Sequence, residues 1–222
     1  MSDRRWFDSP SNESLRWDWP HRLWHWLFAG TLSVSLGTGL AGDVALMDVH
    51  LTSGGCALVL LLFRLGWAVW GGAYARLQHY RTSPRAIWQH FTRQPVLEVA
   101  HTAPGAALAL TMWCVTAIQA GTGLFSSDDI FTDGPFVRYA SDAAVDLATA
   151  VHTRLFWLLL ALIATHLVAL AWYAAQRDPL VLSMFNGRRA GPMAPVVHHH
   201  LLRGLLTLMG AAALIWAGSR WL

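Results

Sequence analysis

Apolar residues gather in runs of membrane length at about 22–42, 51–73, 102–122 and 151–174, with a fifth, weaker run at about 201–219. Hydrocarbon roughly 30 Å thick takes about 20 helical residues to cross. Backbone groups find no water there, so the runs predict helices. The fifth run reads as a span, with an interfacial helix as its alternative. Arg203 and Arg220 lie near its two ends, where both can snorkel to the boundary. Neither a solenoid-period repeat nor a domain boundary is visible. The expected fold is an all-α integral membrane protein: a polar tail (1–20), a four-helix transmembrane bundle (21–190), and a C-terminal extension (191–222) with a fifth transmembrane helix. The tail lacks an apolar h-region, so no cleavable signal peptide is expected.

Composition agrees. With 55% hydrophobic and 13% charged residues, the 222-residue chain carries more apolar surface than a soluble domain of its size can hide. Thirteen tryptophans suit membrane boundaries and flat cofactors alike. Cys56 and Cys114 fall in mid-span on different helices, lack metal-site spacing, and are expected to be packing residues.

Charge placement gives a direction. Arg4, Arg5, Arg16 and Arg22 precede or begin the first span, and Arg76, Arg81, Arg85 and Arg93 follow the second. Arg177, Arg188, Arg189 and Arg203 follow the fourth. The other two connections carry Asp43 and Asp48, then Asp128, Asp129, Asp133, Asp142 and Asp146 against Arg138 and Arg154. The positive-inside rule then puts the N-terminus in the cytoplasm. The arginines form no basic run interleaved with exposed aromatics, so nucleic acid is not an expected partner.

Candidate chemistry lies in the histidines. His152 and His166 are fourteen residues apart in one apolar stretch, VHTRLFWLLLALIATHLVALAWY. In an α-helix that spacing rises about 21 Å and returns within about 40° of the same face. An intramembrane imidazole is costly enough to suggest a function, and a bis-histidine haem needs one from each of two helices at one depth. His25 begins span one at the inner side, and His50 begins span two at the outer side. Matching depths pairs His25 with His166 and His50 with His152, giving two bis-histidine haem sites.

Arg64 lies fourteen residues after His50 on the same helix face, at the inner level. A guanidinium there needs an anion or carbonyl, and a haem propionate would serve. Arg22 is a second candidate for the same propionates, an ordinary sidedness arginine being its alternative. Gly37, Gly39, Gly54 and Gly55 could let a porphyrin approach, or could simply serve helix packing. His101 is a rival inner ligand, with a second-sphere or capping role as its other reading. His21 precedes the first helix without a level-matched partner. His79 and His90 are expected at solvated surface, and His198–His200 in a boundary cluster.

At these residues the chain resembles the bacterial cytochrome b-561 family, together with the b-type cytochrome subunits of nickel–iron hydrogenases. WDWPHRLWHW (Trp17 to Trp26) is similar to the group's W-D-x-P-x-R-x-x-H-W start, and the segment from His50 through FRLGWAVWG to its second span. AHTAPG (Ala100 to Gly105) resembles G-H-N-P-x-G, departing at the first Gly and the Asn. GLFSSDD, the two-histidine span and MFNGRR complete a likeness over about 15–190. The resemblance implies a four-helix core with two b haems, ligated from spans one, two and four. It also implies a multi-pass location in the bacterial inner membrane, among lipid. Electrons would pass between quinone or quinol and a periplasmic cytochrome c or dehydrogenase-type partner. The alternatives are a membrane anchor for a hydrogenase or other dehydrogenase and, in a different class, a haem-free transporter or scaffold. Axially filled haems favour electron transfer over ligand chemistry, so no protein catalytic residue is expected.

Overall fold

The structure is a computed structural model that describes residues 13–92, 101–190 and 200–220. Its elements are β1 (Glu13–Leu15), α1 (Trp19–Ala41), α2 (Met47–Trp70), α3 (Pro84–Phe91), α4 (Ala103–Gly123), α5 (Asp142–Ala175), α6 (Leu180–Asn186), β2 (Arg188–Ala190) and α7 (His200–Arg220). The fold is all-α, trimmed by one antiparallel ribbon in which Glu13 pairs with Ala190 and Leu15 with Arg188. Arg4, Arg5, Arg93, His198 and His199 lie outside the described residues, and of His200 only the backbone is described.

Three helices start by the same device, an oxygen-bearing cap followed by proline. The Asp18 carboxylate accepts the His21 N–H at 2.8 Å ahead of α1. Ser83 and Thr102 cap α3 and α4 in the same way, each at 3.2 Å. Such caps satisfy amides that the first turn leaves bare, and proline costs nothing where no N–H is needed. Gly42, at φ 61°, ends α1 in the left-handed conformation that glycine adopts without a Cβ penalty.

Val44–Trp70, Ala103–Gly123 and Asp142–Ala175 are long and apolar enough to cross a membrane. Only 6% of the most apolar window in Asp142–Ala175 is buried within the protein, so that helix needs an apolar medium around it. The 23-residue α1 is diluted by hydroxyl residues, but the helix satisfies them itself. Thr31 donates to the Leu27 carbonyl at 3.0 Å, and Ser33 to Ala29 at 2.8 Å. In α7 the apolar stretch among the described residues is Leu201–Ala213.

Helices α1 and α2 form one hairpin and α4 and α5 another, with α2 also against α4 and α7. The seam contains Trp24, Phe28 and Leu32 of α1 at i, i+4, i+8, facing Ala57, Leu61 and Trp67 of α2. Lipid is as apolar as leucine, so association depends on packing and interhelical hydrogen bonds. Trp24 Nε1 donates to the Leu60 carbonyl at 2.7 Å, and Trp70 Nε1 to Thr207 Oγ1 at 2.8 Å. Bonds of this kind average about 0.6 kcal/mol in a membrane.

Candidate functional site

His50 lies one turn inside α2 and His152 three turns inside α5. The fold brings their rings to a centroid separation of 6.1 Å with planes at 90°. Each ring is held by the neighbouring helix of its own hairpin. His50 Nδ1 lies 2.9 Å from the Ser35 carbonyl on α1, and His152 Nδ1 lies 2.8 Å from the Gln119 carbonyl on α4. A carbonyl can only accept, so in the neutral rings both protons sit on Nδ1 and both Nε2 atoms keep their lone pairs.

Two glycines make this possible. A Cβ on Gly39 would stand 3.0 Å from His50 Cε1, and one on Gly123 would stand 2.8 Å from His152 Cε1. Two imidazoles bound to opposite sides of one metal ion, with bonds of about 2 Å, have ring centres roughly 6 Å apart. The observed separation fits. Metal-bound histidines characteristically anchor their other nitrogen on a carbonyl or carboxylate, as both do here. Among the described residues, no cluster of three or more His, Cys, Asp or Glu forms a site for a bare metal ion.

At the opposite end of the hairpins, His25 and His166 lie close enough for their charges to interact. Trp26 holds the His25 ring at 5.1 Å with perpendicular planes. Beside them is a donor-rich pocket. Arg64 is fully buried. It donates to the Ala75 carbonyl at 3.0 Å and to the Tyr80 hydroxyl. Its guanidinium stands 4.3 Å from the Trp113 ring centre and 5.4 Å from that of Trp24. The protein thus supplies the carbonyl that the sequence demanded, yet Arg64 Nε and Nη1 have no hydrogen-bond partner. The same holds for His21 Nδ1, His25 Nδ1, His101 Nδ1 and Arg22 Nε, all buried. An acceptor-bearing, anionic group such as a carboxylate fits a site so rich in unused donors. Arg22 Nη1 donates to the Phe185 carbonyl, tying α1 to α6. Burial raises the pKa of Tyr80, in the α2–α4 connection, and the adjacent Arg64 charge offsets part of that rise.

Several expectations require correction. His21 does not precede the first helix: it lies within α1, 5% exposed, stacked on Trp17 at 5.1 Å. His90 is no free surface group, since Nε2 lies 3.0 Å from the Tyr173 hydroxyl of α5. His79 packs edge-on against Tyr74 at 5.3 Å. Cys56 and Cys114 are exposed rather than packed, and Cys56 lines an apolar groove of about 650 Å3 along α1 and α2. His101 sits against Tyr80 at 4.1 Å and Trp17 at 4.9 Å, which places it in the Arg64 pocket. Of the candidate glycines, Gly39 touches His50 and Gly54 approaches Ser35, while Gly37 and Gly55 meet nothing within 4 Å.

Gly123 and Gln119 were not anticipated, although the chain carries a signal for them. Gly-Thr-Gly-Leu occurs at 37–40 and again at 121–124, each time at the end of the helix that receives a histidine. In the α4–α5 connection, Asp128 accepts the N–H groups of Ile130, Phe131 and Thr132 at 3.0, 2.8 and 2.8 Å. Those bonds hold its carboxyl down at a pKa of about 2.

Apolar helices with a carbonyl-anchored imidazole pair between them suit a membrane haem protein. The chain matches the family model of prokaryotic cytochrome b561 over residues 16–187 and belongs to that family. It is therefore a multi-pass membrane b-type cytochrome of electron transport. The matched stretch runs from just before the Asp18 cap to the glycine that ends α6, leaving α7 outside it. No curated protein matches the chain.

Proposed function

We propose that α1, α2, α4 and α5 form a four-helix transmembrane bundle that holds two b haems and passes electrons across the bacterial inner membrane. His50 and His152 ligate the outer haem, and His25 and His166 the inner one. Arg64, with Arg22, neutralises propionates at the inner level. Electrons move between membrane quinone or quinol and a periplasmic redox protein, and α7 is a fifth span. Held by two imidazoles, each haem would supply reversible one-electron exchange and resist binding of small ligands. The rest of the work falls to the chain. Paired imidazoles fix the two centres at different depths, which divides a long passage through insulating hydrocarbon into shorter ones. Carbonyl-anchored Nδ1 atoms hold the tautomer and plane of His50 and His152. Buried, aromatic-caged Arg64 keeps a positive charge where carboxylates must be stabilised without water.

The observation that carries this reading is the opposition of His50 and His152 at 6.1 Å with both Nδ1 protons committed elsewhere. Its test is the haem-to-protein ratio of the purified chain, measured by pyridine haemochrome. Two haems per chain are expected, falling to one in His50→Ala or His152→Ala, with the remaining centre spectrally intact. An unchanged content in both variants would sink the assignment. Absence of b-type absorption in the wild type would favour a haem-free scaffold.

A further inference from the structure

The carbonyls that anchor His50 and His152 each receive a second donor. On α1, Thr38 Oγ1 bonds the Val34 carbonyl at 2.8 Å and the Ser35 carbonyl at 3.1 Å. On α4, Thr122 Oγ1 bonds Ile118 at 2.7 Å and Gln119 at 3.1 Å. Ser35 and Gln119 are the same carbonyls that accept the histidine protons. One unit is therefore built twice: carbonyl at i, threonine at i+3, glycine at i+4. Thr38 Oγ1 also lies 3.3 Å from His50 Nδ1 itself.

A threonine that bonds its own helix is ordinary, and Thr31 does so through the Leu27 and Phe28 carbonyls at 3.0 and 3.1 Å. What sets Thr38 and Thr122 apart is the identity of the carbonyl they share. An imidazole whose Nδ1–H meets a strong acceptor gains anionic character and becomes a better donor to a metal. That favours the oxidised, more positive metal and lowers its reduction potential. A carbonyl that already accepts a hydroxyl has less electron density to offer the imidazole.

We propose that Thr38 and Thr122 are positioning residues that hold the reduction potential of the outer centre up, by drawing on the carbonyls that anchor its two histidines. This rests on the reading that His50 and His152 ligate one iron. That reading fails separately, if His50→Ala keeps both haems.

The experiment is a redox titration of the purified full chain, followed by b-band absorbance, with haem content measured alongside. The midpoint that disappears in His50→Ala identifies the outer centre. Thr38→Val and Thr122→Val should keep two haems and move the outer midpoint downward. Each shift should correspond to roughly a two- to tenfold change in the oxidised-to-reduced ratio at fixed potential, the worth of part of one hydrogen bond. The double variant should show the sum, and Thr38→Ser should restore the wild-type value. Thr31→Val, which removes a hydroxyl from a carbonyl that holds no histidine, should leave both midpoints in place. An outer midpoint that stays or rises in both valine variants overturns the proposal, as does an equal shift in Thr31→Val. Loss of the outer haem from both valine variants also overturns it, since the threonines would then be structural only.

Discussion

A single methyl group at position 123 would decide whether the His152 ring keeps its place. Alanine there puts a carbon 2.8 Å from the ring, against 3.0 Å for alanine at position 39 beside His50. The added atom meets a ring already tied to the Gln119 carbonyl, so it must turn the ring or shift α5. Overpacking of this kind costs about 1–3 kcal/mol. Gly123→Ala should therefore lower haem occupancy and thermal stability, and Gly39→Ala less so, read from haem content and a melting curve in detergent. Equal occupancy in both variants and wild type would mean that the rings have more room than these distances allow. Arg64 is a different kind of residue, with no exposed surface and two protein acceptors. Replacing it by leucine strands the Ala75 carbonyl and the Tyr80 hydroxyl, a loss of about 1–3 kcal/mol, and removes the charge that faces the inner pocket. In Arg64→Leu the inner midpoint should fall more than the outer one, because a positive charge favours the reduced state. A larger shift at the outer centre would place Arg64 wrongly.

Helix α7 meets α2 through a notch rather than a greasy seam. Gly66 admits the Thr207 methyl, since a Cβ there would lie 2.6 Å from Thr207 Cγ2. Trp70 and Arg203 close the contact together, Trp70 donating to Thr207 Oγ1 and Arg203 to the Trp70 carbonyl at 3.0 Å. In Gly66→Val, α7 should come away while the haem content holds, because the proposed ligands His50, His152, His25 and His166 all lie on other helices. Lost Trp70–Thr207 proximity, read by cysteine cross-linking after Trp70→Cys and Thr207→Cys, with unchanged haem content would bear this out. Loss of haem instead would make α7 part of the core. The helices themselves were legible because a bilayer imposes both length and apolarity on them. Where that pressure stops, legibility stops too. The run at 151–174 missed the first nine residues of α5, because Asp142 and Asp146 interrupt apolarity without interrupting a helix. The β1–β2 ribbon is three residues long on each side, too short for an alternating pattern. Depth along a helix could be read from the fourteen-residue spacings, so the approach of His50 to His152 was accessible. Which neighbouring backbone each ring touches depends on helix rotation, which spacing does not contain, and so Ser35 and Gln119 were not.

Across the whole molecule the charges divide by end. The end where α1 begins has Arg16, Arg22, Arg76, Arg81, Arg85, Arg177, Arg188 and Arg189, with Arg189 paired to Asp178 at 2.8 Å. The other end has Asp43 between α1 and α2 and Asp48 in the first turn of α2, then Asp128, Asp129 and Asp133 between α4 and α5, against Arg138 in that connection and Arg154 within α5. Positive charge resists translocation, so we propose that the arginine-rich end faces the cytoplasm and the aspartate-rich end the periplasm. On that proposal the two centres have separate duties. His50 and His152, near the acidic connection, would face a basic periplasmic redox protein steered there, and His25, His166 and the Arg64 pocket would face the cytoplasm. The assignment is tested in a background with Cys56→Ser and Cys114→Ser. Asp129→Cys, on an exposed turn, should react with a membrane-impermeant maleimide in spheroplasts. Arg85→Cys, exposed on α3, should react only in inverted vesicles. The opposite pattern would turn the molecule over, giving the GTGL end to the cytoplasm and the donor-rich pocket to the periplasmic partner.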